Sequence, residues 1–149
     1  MCDASPVGRA LTALLILVNL AVSSVAFGIG WLQSGTPWGL IVAKVSLGFA
    51  ILWIVGAFVA WGFLSSAVGT FCTCVAAVKG CTKPCSDMRT ANSLFMVGLG
   101  LLSISAIAGE FTPDVYVAVA LMFVAIVALG GATFSGIQAA VALGSCQSG

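Results

Sequence analysis

Four apolar runs, each about the length a helix needs to cross a bilayer, constrain this chain more than any other feature. The hydrocarbon core is about 30 Å thick and a helix rises about 1.5 Å per residue, so a span needs roughly 20 apolar residues. Residues 10–31, 38–70, 91–109 and 115–144 approach or exceed that length. The first, third and fourth runs hold no Asp, Glu, Lys or Arg, and the second holds Lys44 alone. A lipid-facing β-barrel would instead alternate apolar and polar residues over segments of about ten. Here residues 11–18 and 115–129 are nearly unbroken. Helices satisfy their own backbone groups in lipid, so these runs read as helices.

Composition closes off the soluble alternative. Of 149 residues, 61% are hydrophobic and 6% charged, against about 25% charged in an ordinary soluble domain. Nine ionisable side chains of the Asp, Glu, Lys and Arg types cannot cover a water-facing surface. The chain therefore reads as all-α, a single integral membrane four-helix bundle with short connections. Its spans lie near residues 10–31, 38–65, 91–109 and 115–140, and its first partner is the lipid bilayer. A cleaved signal would have an apolar core of about 7–15 residues, so residues 10–31 are kept as the first span. With a formal net charge of +1, no nucleic-acid partner is expected.

Charge placement suggests an orientation. Arg9 precedes the first run, and Lys79, Lys83 and Arg89 lie in the second connection. The first connection is uncharged, and the third carries Glu110 and Asp114. The positive-inside rule then sets both termini on the cytoplasmic, matrix or stromal side. Trp31, Trp38 and Tyr116 suit the aromatic belt of the opposite interface. The second run is long. From 38 to 78 a continuous helix would extend about 60 Å, twice the hydrocarbon thickness. It must tilt, project into water, or end near 62–66 and follow the interface, with Gly69 and Thr70 as a candidate break.

Polar residues inside the runs are the candidate sites. Lys44 is the one charge well within a run, a pointer to function in membrane proteins. It lies six residues after Trp38, so it either snorkels to the interface, pairs with Glu110, or serves a substrate or ion site. Asn19, in the middle of the first run, is expected to face the bundle and hydrogen-bond another helix. Gln138 in the fourth run is expected to do the same.

The six cysteines, Cys2, Cys72, Cys74, Cys81, Cys85 and Cys146, all fall on one side of this topology. Cytosolic juxtamembrane cysteines beside basic residues suit S-palmitoylation. Cys72, Cys74, Cys81 and Cys85 as a zinc site have non-standard spacing. Disulfides would need an oxidising compartment and would contradict the charge rule. Free thiols complete the alternatives, and on the cytoplasmic orientation no mutual disulfide among these four is expected.

The fourth run also carries small residues at four-residue spacing: Ala120, Ala128, Ala132, Gly136, Ala140 and Gly144, interrupted by Val124. Small side chains on one helix face let a neighbouring backbone approach closely. The spacing leaves open whether that neighbour belongs to this chain or to another protein.

Catalysis is not expected. Without histidine there is no His-held cofactor or histidine base, and no Walker loop or Ser–His–Asp arrangement is present. No catalytic, cofactor-binding or metal-binding residues are assigned. The four-span plan is similar to that of tetraspanins, claudins and MARVEL-type proteins in architecture only, lacking the C-C-G and W…C…C signatures. The leading expectation is a non-catalytic structural or assembly subunit that meets other membrane protein subunits. The alternatives are a small oligomeric channel or transporter lined by Lys44 and Asn19, and an acylated membrane-organising scaffold.

Overall fold

The computed structural model describes residues 3–111 and 115–148. It contains four long helices, α1 (Ser5–Leu32), α2 (Pro37–Cys74), α3 (Thr82–Phe111) and α4 (Val115–Ser148), with one 3-10 turn at Lys79–Cys81. Each α-helix is long and apolar enough to cross a membrane. The all-α bundle read from the apolar runs is what forms.

The helices run up and down in sequence, and α1 packs chiefly on α2 while α3 packs chiefly on α4. The interior follows a period of three and a half. On α1 the inward residues are Val7, Leu11, Leu14, Val18, Ala21 and Val25. On α4 they are Ala118, Met122, Ala125, Leu129, Ala132, Gly136, Ala139 and Leu143. Steps of four and three alternate along both helices, the spacing that winds helices into a left-handed supercoil. Hydropathy conceals this seam because the outward positions are equally apolar, as Phe27, Leu52, Phe63, Phe123 and Val127 show. Along α2 small Ala43, Ala50, Ala57 and Ala60 alternate inward with the larger Leu47, Ile54, Leu64, Val68 and Phe71, while Phe49, Leu52, Val55, Val59 and Phe63 face outward. Lipid supplies no hydrophobic drive between helices, so close backbone approach has to hold them.

Glycine marks the tightest approaches. A Cβ on Gly28 would lie 2.8 Å from Cγ of Leu47 and 3.3 Å from the Ala43 carbonyl oxygen, so α1 and α2 meet there. A Cβ on Gly98 would lie 2.6 Å from Cγ of Leu129, where α3 meets α4. The turn between α1 and α2 uses Gly35 at φ +69°. Thr36 then caps α2, its Oγ1 accepting from the Gly39 N–H at 2.9 Å, with Pro37 on the first helical turn.

The second run is resolved as a helix. α2 continues without interruption through Gly69 and Thr70 to Cys74. Its 38 residues correspond to about 57 Å, well beyond the hydrocarbon core. α3 starts nine residues before Ala91, and α4 reaches Ser148. Three helices are thus longer than a bilayer needs and end together, as a crown, at the side that carries the cysteines. At the opposite end Trp31, Trp38, Phe111 and Tyr116 gather, the last three strongly exposed.

The ridge of small residues on α4 finds its neighbour inside the chain. Gly136 is buried, and a Cβ there would lie 3.4 Å from Phe95, 3.6 Å from Leu11 and 3.8 Å from Ala91. Ala132 is fully buried, Ala128 and Ala140 are half-buried, and Ala120 and Gly144 are exposed. Four residues turn a helix by about 40° more than a full circle, so a strict four-residue ladder rotates off the seam at both ends.

Candidate functional site

Lys44 is half-buried on α2, and its ammonium reaches across to the last turn of α3. Nζ donates to the carbonyl of Glu110, and it lies 3.5 Å from the carbonyl of Gly109. The last carbonyls of a helix have no partner within it and form the negative end of its dipole. A cation there closes the α3 terminus. The expected partner residue is therefore the right one, but its backbone oxygen makes the contact. Among the described residues no ion pair joins the two side chains, and Oε2 of Glu110 is buried without a hydrogen-bond partner. Asp114 lies outside the described residues.

A second polar tie joins α2 and α3 nearer the crown. Trp61 Nε1 donates to the Asn92 carbonyl at 2.8 Å, and the Asn92 amide nitrogen donates to the Ser65 hydroxyl. The seam between the two hairpins is thus pinned by polar contacts towards both ends. Asn92 was overlooked in the sequence although it is the only amide in its run. It stands at the start of its run, three residues after Arg89, where an amide has water within reach and its sequence position does not mark it as a helix tie. Two further bonds stitch the hairpins internally, from Ser46 to the Ser24 carbonyl at 2.8 Å and from buried Ser105 to the Ala118 carbonyl at 2.6 Å.

Asn19 departs from expectation. It lies near the middle of α1 but on the outward face, exposed, with no side-chain hydrogen bond among the described residues. The inward positions on either side are Val18 and Ala21, and the seven-residue register leaves no inward place for position 19. Gln138 is likewise exposed, beside a cleft of ≈ 600 Å³ that Lys83, Asp87 and Ser135 also line. Lys44 and Asn19 do not share a path. Leu14, Leu47, Phe95, Leu99 and Leu102, all fully buried, fill the interior.

The cysteines require the largest correction. Cys72 is bonded to Cys85, with Cα atoms 5.9 Å apart, and Cys81 to Cys146, with Cα atoms 5.4 Å apart. Both separations lie in the ordinary range of about 4.4–6.8 Å. Cys74 is disulfide-bonded as well, and no free cysteine remains among the described residues. Cys2 lies outside them. A thioester or a tetrathiolate site needs thiols that these residues no longer have. The crown explains the pairing physically. Outside the lipid, a few helical turns bury too little surface to hold themselves together, and covalent closure compensates.

The Cys72–Cys85 bridge borders a cavity of ≈ 500 Å³ between the end of α2 and the start of α3. Cys72, Cys81 and Cys85 line it together with Thr82, Ser86, Arg89, Thr90 and Ser93. Cys85 belongs to the first turn of α3, and Arg89 follows one turn later on the same face. No protein-family model, no curated protein and no solved structure matches this chain, so its reading rests on its own residues.

Proposed function

We propose that the protein is a non-catalytic structural subunit that joins other membrane protein subunits through the outer face of α1. Asn19 is the observation that carries this reading. An amide without a partner in hydrocarbon costs several kcal/mol, so a second polypeptide that bonds it is strongly favoured. The surrounding face suits close approach. Thr12, Asn19 and Ala26 recur every seven residues, as do Ile16, Ser23 and Gly30 between them, and all six are exposed. Ala26 and Gly30 leave a shallow groove of ≈ 380 Å³ beside Phe27 and Trp31. This is a second helix-packing seam, back to back with the one that builds the core. The filled interior leaves no path within one chain, so a channel would have to run between copies, and the oxidised cysteines give acylation no support.

Replacing Asn19 with Leu tests the proposal. Purified in mild detergent, the Asn19→Leu variant should lose its co-migrating subunits while the isolated chain keeps its thermal stability. An unchanged set of co-migrating chains sinks the assembly reading.

Two features support opposite orientations. Arg9, Lys79, Lys83 and Arg89 favour a cytoplasmic crown by the charge rule. The disulfides favour a crown in an oxidising compartment, because cytosolic thiols are kept reduced. We favour the second, since a basic bias is a statistical preference whereas persistent disulfides need an oxidant. Reporter fusions after Gly35 and after Lys83 should label opposite sides, with the Lys83 fusion extracytoplasmic. A cytoplasmic Lys83 fusion reverses the assignment.

A further inference from the structure

We infer that Cys72–Cys85 is an exchangeable disulfide, open to attack by a dithiol from the cavity at the crown, whereas Cys81–Cys146 is structural. Both bonds sit in the same few turns, but their surroundings differ. Both residues of the first bond line the cavity, and each keeps some exposure, 6% for Cys72 and 8% for Cys85. Of the second bond only Cys81 lines it, and Cys81 is fully buried; Cys146 is half-buried, more exposed than either residue of the first bond, but lies outside the cavity.

The leaving group decides which bond opens. A thiolate of the incoming dithiol attacks Sγ of Cys72 and forms a mixed disulfide with it. The Cys72–Cys85 bond breaks, and its electron pair stays on Sγ of Cys85. That sulfur sits in the first turn of α3, where the helix dipole favours negative charge, and Arg89 lies one turn along the same face. A thiolate of low basicity leaves faster. The second thiol of the reductant, once deprotonated, then attacks its own partner sulfur and releases the Cys72 thiolate. The protons of the dithiol end on Cys72 and Cys85, so the reductant leaves as a disulfide and the chain gains two electrons. Attack on Cys146 from solvent would instead expel a thiolate at Cys81. That residue also precedes most of α3, but it is eight residues from Arg89 and has no exposure at all, against 8% for Cys85, so charge is less favoured there.

Two readouts test this on the full chain in lipid nanodiscs. After graded exposure to dithiothreitol and quenching with iodoacetamide, peptide mass spectrometry reports which cysteines became alkylated. Cys72 and Cys85 should be alkylated together and several-fold faster than Cys81 and Cys146. Arg89→Gln, at an exposed position, should slow that first phase several-fold, and Arg89→Lys should restore most of it. Simultaneous opening of both bonds, or earlier opening of Cys81–Cys146, overturns the inference. So does an Arg89→Gln variant that reacts at the original rate.

Discussion

Gly98→Ala should destabilise the isolated chain by about 1–3 kcal/mol, the usual cost of forcing volume into a packed core. The added methyl would lie 2.6 Å from Cγ and 2.7 Å from Cδ2 of Leu129, and 3.2 Å from its backbone nitrogen. Leu129 can rotate its side chain, but its backbone nitrogen cannot move unless α3 and α4 separate. Gly136→Ala should be nearly neutral, because its new methyl meets Phe95 at 3.4 Å, an ordinary contact. Gly136→Leu extends three carbons further towards Phe95, Leu11 and Ala91, and should again cost about 1–3 kcal/mol. Ile137→Leu, on the exposed face one position along, should leave stability unchanged. Thermal unfolding of the purified chain in detergent measures all four. If Gly98→Ala melts with the parent protein, the close α3–α4 crossing is wrong.

Removing Cys81–Cys146 by Cys81→Ala with Cys146→Ala should cost more stability than removing Cys72–Cys85 by the corresponding pair. The first bond joins positions 65 residues apart, and the second joins positions 13 apart. Closing a loop restricts the unfolded chain in proportion to the logarithm of its length, which separates the two bonds by about 1.4 kcal/mol. The longer loop contains nearly all of α3 and α4, so its loss frees the last two helices at their crown end. Both double variants should still insert, since insertion depends on the apolar runs rather than on the crown. Chemical denaturation in nanodiscs, followed by protease accessibility of the crown, compares them. Equal losses would show that loop length does not control the effect.

Much of the architecture was legible because lipid imposes a coarse rule, a length of apolar chain, that four runs satisfy independently. The helix faces were not, since hydropathy reports contact with water and neither face of a lipid-embedded helix touches it. Asn19 illustrates the consequence. Polarity alone turns an amide in an apolar run inward, whereas the packed register of Val18, Ala21 and Val25, visible only in the structure, leaves position 19 facing out. Lys44 was more readable, because a lone cation six residues from an interface has few partners, and the helix terminus opposite was one of them. The disulfides were hidden by a conflict between two rules. Basic residues argued for a reducing side, and spacing alone cannot pair Cys81 with a cysteine 65 positions away.

That long-range bond also has a meaning in time. Residue 146 is synthesised in the last turn of the last helix, so an oxidant can join the Cys81 and Cys146 thiols, taking up their two electrons, only once that span has crossed. A chain whose fourth helix fails to insert delivers Cys146 to the wrong side of the bilayer and leaves Cys81 without its mate. The Cys81–Cys146 bridge therefore records completed insertion as a covalent mark, and a non-reducing gel can read the fraction of newly made chains that reached the right topology.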